Sequence, residues 1–152
     1  MPLEQYKTNI TAIADKCQTA GVKMVVLTAT LIKEPGNVYN KKLDGYNEFL
    51  RSFSKERNLP LADLNADMKS ICESNPRHNR LTADGVHMAP RGNVMMAKGI
   101  LRALGLTPDQ MSKAEACWLD LPNTCDYTVK LSLREYEKML EKIDAGKEAE
   151  KP

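Results

Sequence analysis

Hydrophobic positions in the first half of the chain form two kinds of pattern, a repeat every three or four residues and short continuous runs. Apolar residues recur every three or four positions over residues 3–17, which predicts an amphipathic helix that ends at Gly21. Residues 22–28 form a continuous run rich in β-branched side chains, typical of a strand buried on both faces of a parallel sheet. A second helical period leads to a short apolar run at residues 59–64, which predicts a second strand. Helices that alternate with buried strands indicate an α/β architecture with right-handed crossovers.

The second half of the chain is predicted to be mostly helical. Its last helix, over residues 134–151, is highly charged, so we expect it to be a solvated surface element whose end frays from residue 145. The predicted elements are a helix capped by Asn65, a helix from Pro90 to Gly105, a helix that begins with a capping box at residues 107–110, a strand over residues 128–133 and the last helix, capped by Ser132.

The two predicted buried strands leave the sheet incomplete. Two parallel strands do not form a stable sheet on their own, and residues 22–28 have the character of an interior strand with no strand before it. The chain instead begins directly in a helix. We therefore expect the fold to be N-terminally truncated, with an exposed sheet edge through which copies of the chain could associate.

Composition excludes several classes of function. The chain has 152 residues, of which 42% are hydrophobic and 28% charged, as is typical of one soluble globular domain. Its formal net charge of +2 comes from nearly balanced acids and bases, so we expect no nucleic-acid partner. No apolar run approaches the roughly 20 residues that a membrane span needs. The N-terminus shows no secretory signal, but the compartment stays open because an export signal could precede Met1.

The four cysteines do not have the spacing of a metal site. No C-x-x-C pair occurs, and the two histidines are not spaced with the cysteines as zinc ligands would be, so we expect no metal. Cys17 and Cys72 fall on apolar helix faces and are expected in the core. Cys117 and Cys125 flank a Pro-Asn-Thr turn and could form a disulfide in an oxidising compartment or remain free thiols.

The strongest candidate for chemistry is the segment TADGVHMAPRGN, residues 82–93. Asp84 and His87 lie three residues apart in a turn punctuated by glycine and proline, so both side chains can face one site. A carboxylate that binds one imidazole nitrogen fixes the tautomer, and the other nitrogen can then accept a proton from a hydroxyl. Imidazole also changes protonation close to neutral pH, as a general base requires. A structural alternative stays open, in which Asp84 caps the turn and His87 is a surface residue.

The segment resembles part of a known family of hydrolases. The pattern D-G-V-H-x-x-x-x-G at residues 84–92 leads into an amphipathic helix, and this arrangement resembles the last conserved block of the SGNH/GDSL hydrolases. The helices and strands before it are similar, in order, to those of the family, so the resemblance covers residues 3–106. Residues 107–152 would then be a C-terminal extension made of a helix, a short strand, a second helix and a tail.

The resemblance implies a flavodoxin-like three-layer α/β/α fold and the hydrolysis of a carboxylic ester without a metal or organic cofactor. His87 would be the general base, and Asp84 would orient it. Met88 and Arg91 flank His87, where the family's enzymes contact the substrate. The substrate would be a small-molecule ester or an acylated carbohydrate.

The family's other catalytic groups have no counterpart in this sequence. Its nucleophilic serine lies in a Gly-Asp-Ser block on the first strand, and the chain contains no G-D-S. Its oxyanion-hole glycine and asparagine lie in blocks upstream of the helix with which this chain begins. The serines of this chain lie on predicted helices or caps. By resemblance the two predicted strands are the fourth and fifth, so we expect the nucleophile upstream of Met1 and the isolated chain to be inactive. The alternative is that a partner chain supplies the missing strands.

The loop over residues 30–40 leaves the carboxyl end of a strand, where ligands bind in open α/β sheets, and could line a substrate pocket. His78 lies beside two arginines in a polar segment and is expected in a solvated loop. The alternative function is a non-catalytic α/β binding or assembly module that retains Asp84 and His87 only as turn structure.

Overall fold

Six helices and four short strands make up the part of the chain that the structure describes. The computed structural model describes residues 1–33, 36–75, 80–126 and 129–149. None of the helices in these ranges is long and apolar enough to cross a lipid bilayer. In chain order the elements are α1 (Leu3–Thr19), β1 (Val26–Leu27), α2 (Val38–Glu56), β2 (Leu61–Ala62), α3 (Leu64–Ser74), α4 (Pro90–Ala103), α5 (Pro108–Trp118), β3 (Pro122–Asp126), β4 (Val129–Ser132) and α6 (Leu133–Ala149).

The two predicted strands pair, but over a shorter length than the sequence indicates. β1 and β2 are parallel, with Val26 opposite Leu61 and Leu27 opposite Ala62. Val26 is buried, whereas Leu27 is 38% exposed and Val22, outside the strand, is 58% exposed. The prediction that this run is buried on both faces is therefore wrong. One face of β1 packs against helices, and the other is partly open to solvent.

One edge of β1 carries no paired strand within the described ranges. In a parallel pair, alternate residues point their backbone N–H and C=O groups to opposite sides. Val26 and Thr28 donate toward β2, to the carbonyls of Pro60 at 2.8 Å and Ala62 at 3.1 Å. The backbone of Leu27 therefore points to the other edge, where the described part of the chain places no further strand. Such an edge offers hydrogen-bonding groups to an additional strand.

Two apolar clusters form the core. One joins α1 and α2 to β1, and the other joins α3 and α4 to the segments that follow β1 and precede α4. Burial stabilises the fold by about 1.5–3 kcal/mol for each large aliphatic or aromatic side chain. The buried members are Ala14, Val26, Leu50 and Phe53 in the first cluster, and Leu31, Met68, Cys72, Leu81 and Met95 in the second.

Side-chain caps explain where several helices begin. Asn37 caps α2 by accepting hydrogen bonds from two backbone N–H groups of its first turn. Asp63 caps α3, so the prediction that Asn65 is the cap is wrong; Asn65 lies inside the first turn and is buried. Thr107 and Gln110 form the predicted capping box of α5, in which each side chain accepts from the other residue's backbone N–H.

The C-terminal part packs more closely on the fold than the sequence predicts. β3 and β4 form an antiparallel hairpin; β4 is the predicted strand, but the segment predicted as a turn belongs to β3. Ser132 and Glu135 cap α6 as predicted. α6 continues to Ala149, past the predicted point of fraying. The prediction of a solvated surface helix is wrong because Tyr136 and Leu140 are buried.

The cysteines lie in different environments. Cys72 is buried, as predicted, and Cys17 is half-buried. Cys117 is an exposed free thiol. The side chain of Cys125 lies outside the described residues.

Candidate active site

The segment between α3 and α4 folds into a compact turn over residues 81–89, which we call the Asp–His turn. Thr82 and Met88 form an isolated antiparallel bridge across its base. The Ala83 N–H donates to the His87 carbonyl at 2.8 Å, and the Ala89 N–H donates to the Leu81 carbonyl at 3.0 Å. These cross-turn bonds give the candidate catalytic residues a defined backbone even though they lie in a loop.

The Asp84 carboxylate organises the tip of this turn. Its Oδ1 accepts the backbone N–H groups of Val86 at 2.9 Å and His87 at 2.8 Å, and its Oδ2 lies 2.7 Å from Nδ1 of His87. The hydrogen bond from the His87 backbone, followed by those from its ring and from the Val86 backbone, holds the pKa of Asp84 well below its usual range. Asp84 therefore stays ionised at neutral pH and both caps the turn and contacts the imidazole.

His87 presents its second ring nitrogen to solvent. Because an ionised carboxylate only accepts hydrogen bonds, the short contact favours the tautomer of the neutral ring that carries its proton on Nδ1 and has a free lone pair on Nε2. The His87 side chain is 82% exposed, and no described residue hydrogen-bonds to Nε2. The hydroxyls of Ser54, Ser74 and Ser132 donate to the Leu59 carbonyl, the Ile71 carbonyl and the Glu135 carboxylate, and none of the serines in the described ranges shows a hydrogen bond to His87. The structure therefore brings together the predicted acid and base, and the described residues place no nucleophile against them.

Two glycines allow the turn to pack closely on its surroundings. Gly85 has a φ of +89°, and a Cβ there would lie 2.8 Å from Cγ of Lys33, the residue whose N–H donates to the Gly85 carbonyl. A Cβ at Gly92, in the first turn of α4, would lie 2.1 Å from the Leu81 carbonyl oxygen. These contacts give a physical reason for both glycines of the D-G-V-H-x-x-x-x-G pattern.

The two predicted substrate-contacting residues lie in different settings. Met88 is half-buried and packs against the second core cluster. Arg91 Nε donates to both carboxylate oxygens of Glu137 on α6, at 2.7 and 3.0 Å. The hydrogen bond with Glu137 outweighs partial burial and raises the pKa of Arg91. Their contact with substrate stays a prediction.

One cavity lies beside the Asp–His turn, and a larger one lies at the start of β1 and β2. A cavity of about 280 Å³ beside α4 and α6 is lined by Leu81, Arg91, Met95 and Glu137, among other residues. A larger one of about 720 Å³ is lined by the residues just before β1 and β2. In parallel strands these residues mark the amino ends, whereas the loop after β1 contacts the Asp–His turn. The larger cavity therefore lies away from the candidate site.

The loop that leaves β1 is fastened to α2 by two asparagines. Asn47 accepts the Ala29 N–H at 2.8 Å and donates to the Ala29 carbonyl at 2.9 Å. Asn40 pairs with the backbone of Ile32 in the same way, at 2.9 and 3.0 Å. Each side-chain amide thus satisfies the backbone N–H and C=O of one loop residue, as a paired strand would. Residues 34–35 of the predicted pocket loop, and His78, lie outside the described residues.

A second hydrogen-bonded aspartate, Asp63, which the sequence patterns did not single out, lies in a cluster where β1 and β2 end. Arg51 donates to both oxygens of Asp63, at 2.7 and 2.9 Å, and the Thr28 hydroxyl donates to Asp63 at 2.9 Å. Burial would raise the pKa of Asp63, but the hydrogen bonds from Arg51 and Thr28 outweigh it and lower the pKa. The available signal was a polar residue at or near the end of each predicted strand, Thr28 and Asp63.

Solved structures of esterases share this fold. The chain is similar to Axe2, an acetylxylan esterase from Geobacillus stearothermophilus, with a TM-score of 0.62 and 18% identity over 70% of this chain and 48% of that chain. It is similar to LAE5, an alpha/beta hydrolase enzyme from the metagenome of Lake Arreo, Spain, with a TM-score of 0.60 and 19% identity over 69% and 48% of the two chains. For the esterase domain of the ORF1 protein from the zebrafish ZfL2-1 retrotransposon, the TM-score is 0.57 with 22% identity over 70% and 65%.

At these identities the likeness shows the fold alone. The chain has a mixed, mostly helical α/β fold of the kind found in these esterases. It spans about half the length of the acetylxylan esterase and the α/β hydrolase. No protein-family model and no curated protein matches the sequence.

Proposed function

We propose that this chain supplies the acid–base half of an SGNH-type serine hydrolase that cleaves a carboxylic ester. The observation that carries the proposal is the Asp84–His87 pair, with Nδ1 bound 2.7 Å from the carboxylate and Nε2 open to solvent. The fold shared with esterases supports it.

In this mechanism His87 accepts and then releases one proton in each of the two half-reactions. Nε2 accepts the proton of a serine hydroxyl while the serine oxygen attacks the ester carbonyl, and the resulting imidazolium then protonates the leaving alkoxide. Water attacks the acyl-enzyme by the same route in reverse order. The ionised Asp84 stabilises the imidazolium and keeps Nε2 aimed outward. No metal or organic cofactor is required for these steps.

The nucleophile in this proposal comes from outside the given sequence. Residues 1–106 would be the C-terminal part of a flavodoxin-like three-layer α/β/α domain, and residues 107–152 its C-terminal extension. The open edge of β1 at Leu27 supports the proposal because a further parallel strand can pair there. A polypeptide that precedes Met1 would supply this strand and, with it, the serine and the oxyanion donors. The isolated chain would then be inactive and could self-associate through the same edge.

The proposed substrate is a small-molecule ester or an acylated carbohydrate. An acetylxylan esterase among the similar structures favours this class. Met88 and Arg91 are the proposed substrate contacts, since both flank His87 in sequence and Arg91 lines the cavity of about 280 Å³.

The test uses a short-chain aryl ester and two forms of the protein. The isolated chain should show no hydrolysis beyond that of free imidazole. The chain extended by the in-frame coding sequence upstream of Met1 should hydrolyse the ester, and His87→Ala should remove that activity by at least about 10³-fold. His78→Ala is the matched control, because the chain has only two histidines. Activity in the isolated chain that survives His87→Ala would rule out this mechanism.

A non-catalytic α/β binding or assembly module is the second candidate. The high exposure of His87 and the absence of a hydroxyl against Nε2 among the described residues favour it. In that case the extended chain carries no serine that reacts with a fluorophosphonate probe, whereas the hydrolase proposal requires such labelling.

A further inference from the structure

One helix holds the Asp–His turn at both ends. Arg80, directly before the turn, forms an ion pair with Asp144 of α6. Arg91, two residues after the turn, forms an ion pair with Glu137 of the same helix, with Nε 2.7 Å from Oε1. The turn is therefore fastened to α6 on each side, by residues 64 and 46 positions apart in sequence.

The two acidic residues lie on one face of α6. Glu137 and Asp144 are seven residues apart, which is two helical turns, so their side chains point in nearly the same direction. Leu140 lies between them and is buried, with 3% of its surface exposed. The four charged side chains of the two pairs are each only 27–32% exposed. The carboxylates thus flank an apolar anchor, and partial burial protects both ion pairs from solvent screening.

The backbone before the turn also requires an external restraint. Arg80 has a φ of +44°, a left-handed conformation that residues other than glycine rarely adopt. Such a conformation persists where surrounding contacts hold it. Its ion pair with Asp144 and the burial of the adjacent Leu81 are two contacts of this kind in the described residues.

We propose that α6 is a clamp that positions the Asp–His turn, with Glu137 and Asp144 as positioning residues for His87. The catalytic meaning of this clamp rests on the proposed function, but the clamp itself is a property of the fold. The local hydrogen bonds of Asp84 remain when the clamp is lost, whereas the cross-turn bonds open more often.

The experiment compares the double variant Glu137→Gln with Asp144→Asn against Glu141→Gln, an exposed glutamate on the same helix. Native-state hydrogen exchange is measured at the amides of Ala83 and Ala89, which donate across the turn. In the double variant these two amides should exchange about five- to tenfold faster, while the amide of Leu50 in α2 changes less than about twofold. The control should match the unmodified chain.

Two results would overturn the clamp. In the first, the double variant exchanges at Ala83 and Ala89 as the control does. In the second, the amide of Leu50 accelerates by the same factor, which would mean that the ion pairs act only on global stability. Exchange does not require ester hydrolysis, so a chain that shows the expected exchange but no esterase activity in its extended form refutes the proposed function and leaves the clamp standing.

Discussion

Asp63 and Asp84 are both ionised aspartates that contact a basic side chain, yet their surroundings differ in kind. Asp63 is less than one-third exposed and, besides capping α3, binds partners from two other segments, Arg51 on α2 and Thr28 after β1. Asp84 is 54% exposed and draws its partners from the three residues that follow it. The hydrogen bonds of Asp63 connect different secondary-structure elements, whereas those of Asp84 stay within the Asp–His turn.

The difference shows how a structural carboxylate can be told from a chemical one. The Arg51 guanidinium is permanently charged and donates hydrogen bonds to Asp63 and Asn65. It cannot act as a base, so this cluster contains no group suited to accept a proton from a substrate. His87 spends only Nδ1 on Asp84 and keeps Nε2 open. A general base needs one ring nitrogen held in place and the other accessible. The cross-turn backbone hydrogen bonds allow this, because they hold the turn without using Nε2.

The largest expected effect is the loss of stability when Asp63 loses its arginine partner. Arg51→Ala leaves the carboxylate of Asp63 partly buried without its main donor and should lower the free energy of unfolding by about 2–3 kcal/mol in urea titrations. Lys69→Ala removes an exposed pair with Asp44 and should cost less than about 1 kcal/mol. Equal losses in the two variants would contradict the structural role of Asp63.

A second variant tests how tightly the Asp–His turn is seated. Gly92→Ala places a methyl group 2.1 Å from the Leu81 carbonyl oxygen, so α4 or the turn must shift, at a cost of about 2 kcal/mol. Gly146→Ala on α6 meets no atom within 4 Å and should stabilise by about 0.5–1 kcal/mol through helix propensity. Urea unfolding of both variants is the measurement, and a neutral Gly92→Ala would show that the turn packs loosely.

A third prediction concerns acid titration, followed by the carboxyl ¹³C shifts of the two aspartates. Both have a folded-state pKa below the usual value of about 3.9, so each stabilises the fold above that pH and loses its contribution as the pH falls further. In Arg51→Ala the pKa of Asp63 should rise, because the Thr28 hydroxyl and the Ala66 N–H are then the donors left to offset burial. In His87→Ala the pKa of Asp84 should stay below 3.9, because the backbone donors of the turn remain. A rise of Asp84 above 3.9 would show that the ring dominates instead.

The smallest expected effect is on the stability of the His87→Ala variant. The side chain is 82% exposed and makes one side-chain hydrogen bond, so the free energy of unfolding should change by less than about 0.5 kcal/mol. A loss comparable to that of Arg51→Ala would instead assign His87 a structural role and weaken the hydrolase proposal.

Local patterns in the sequence predicted the six helices, three of the four strands and the Asp–His pair. The capping boxes at Thr107 and Ser132 and the three-residue spacing of Asp84 and His87 involve near neighbours, so a short stretch of sequence contains all of their partners. The esterase-like α/β fold was also predictable in outline. The division at residue 106, the substrate contacts and the upstream nucleophile stay predictions.

Features that depend on distant partners could not be predicted in the same way. Nothing local distinguishes Glu137, which binds Arg91, from other acidic residues of the same charged helix. The exposure of Val22 and Leu27 depends on what packs beside β1, and a β-branched run looks alike whether or not neighbours cover it. Burial and long-range ion pairs are set by tertiary packing, which periodicity does not report.

The attachment of the Asp–His turn to α6 also sets an order of events during synthesis. The bonds from Asp84 to the backbone of Val86 and His87 can form as soon as these residues leave the ribosome. The pair between Arg80 and Asp144 must wait for 64 further residues. At about 5–20 residues per second, that interval lasts several seconds. The hydrogen bonds within the turn can therefore form several seconds before its ion pairs with α6. During that interval the nascent chain already contains the Asp84–His87 pair, but α6 does not yet hold the turn.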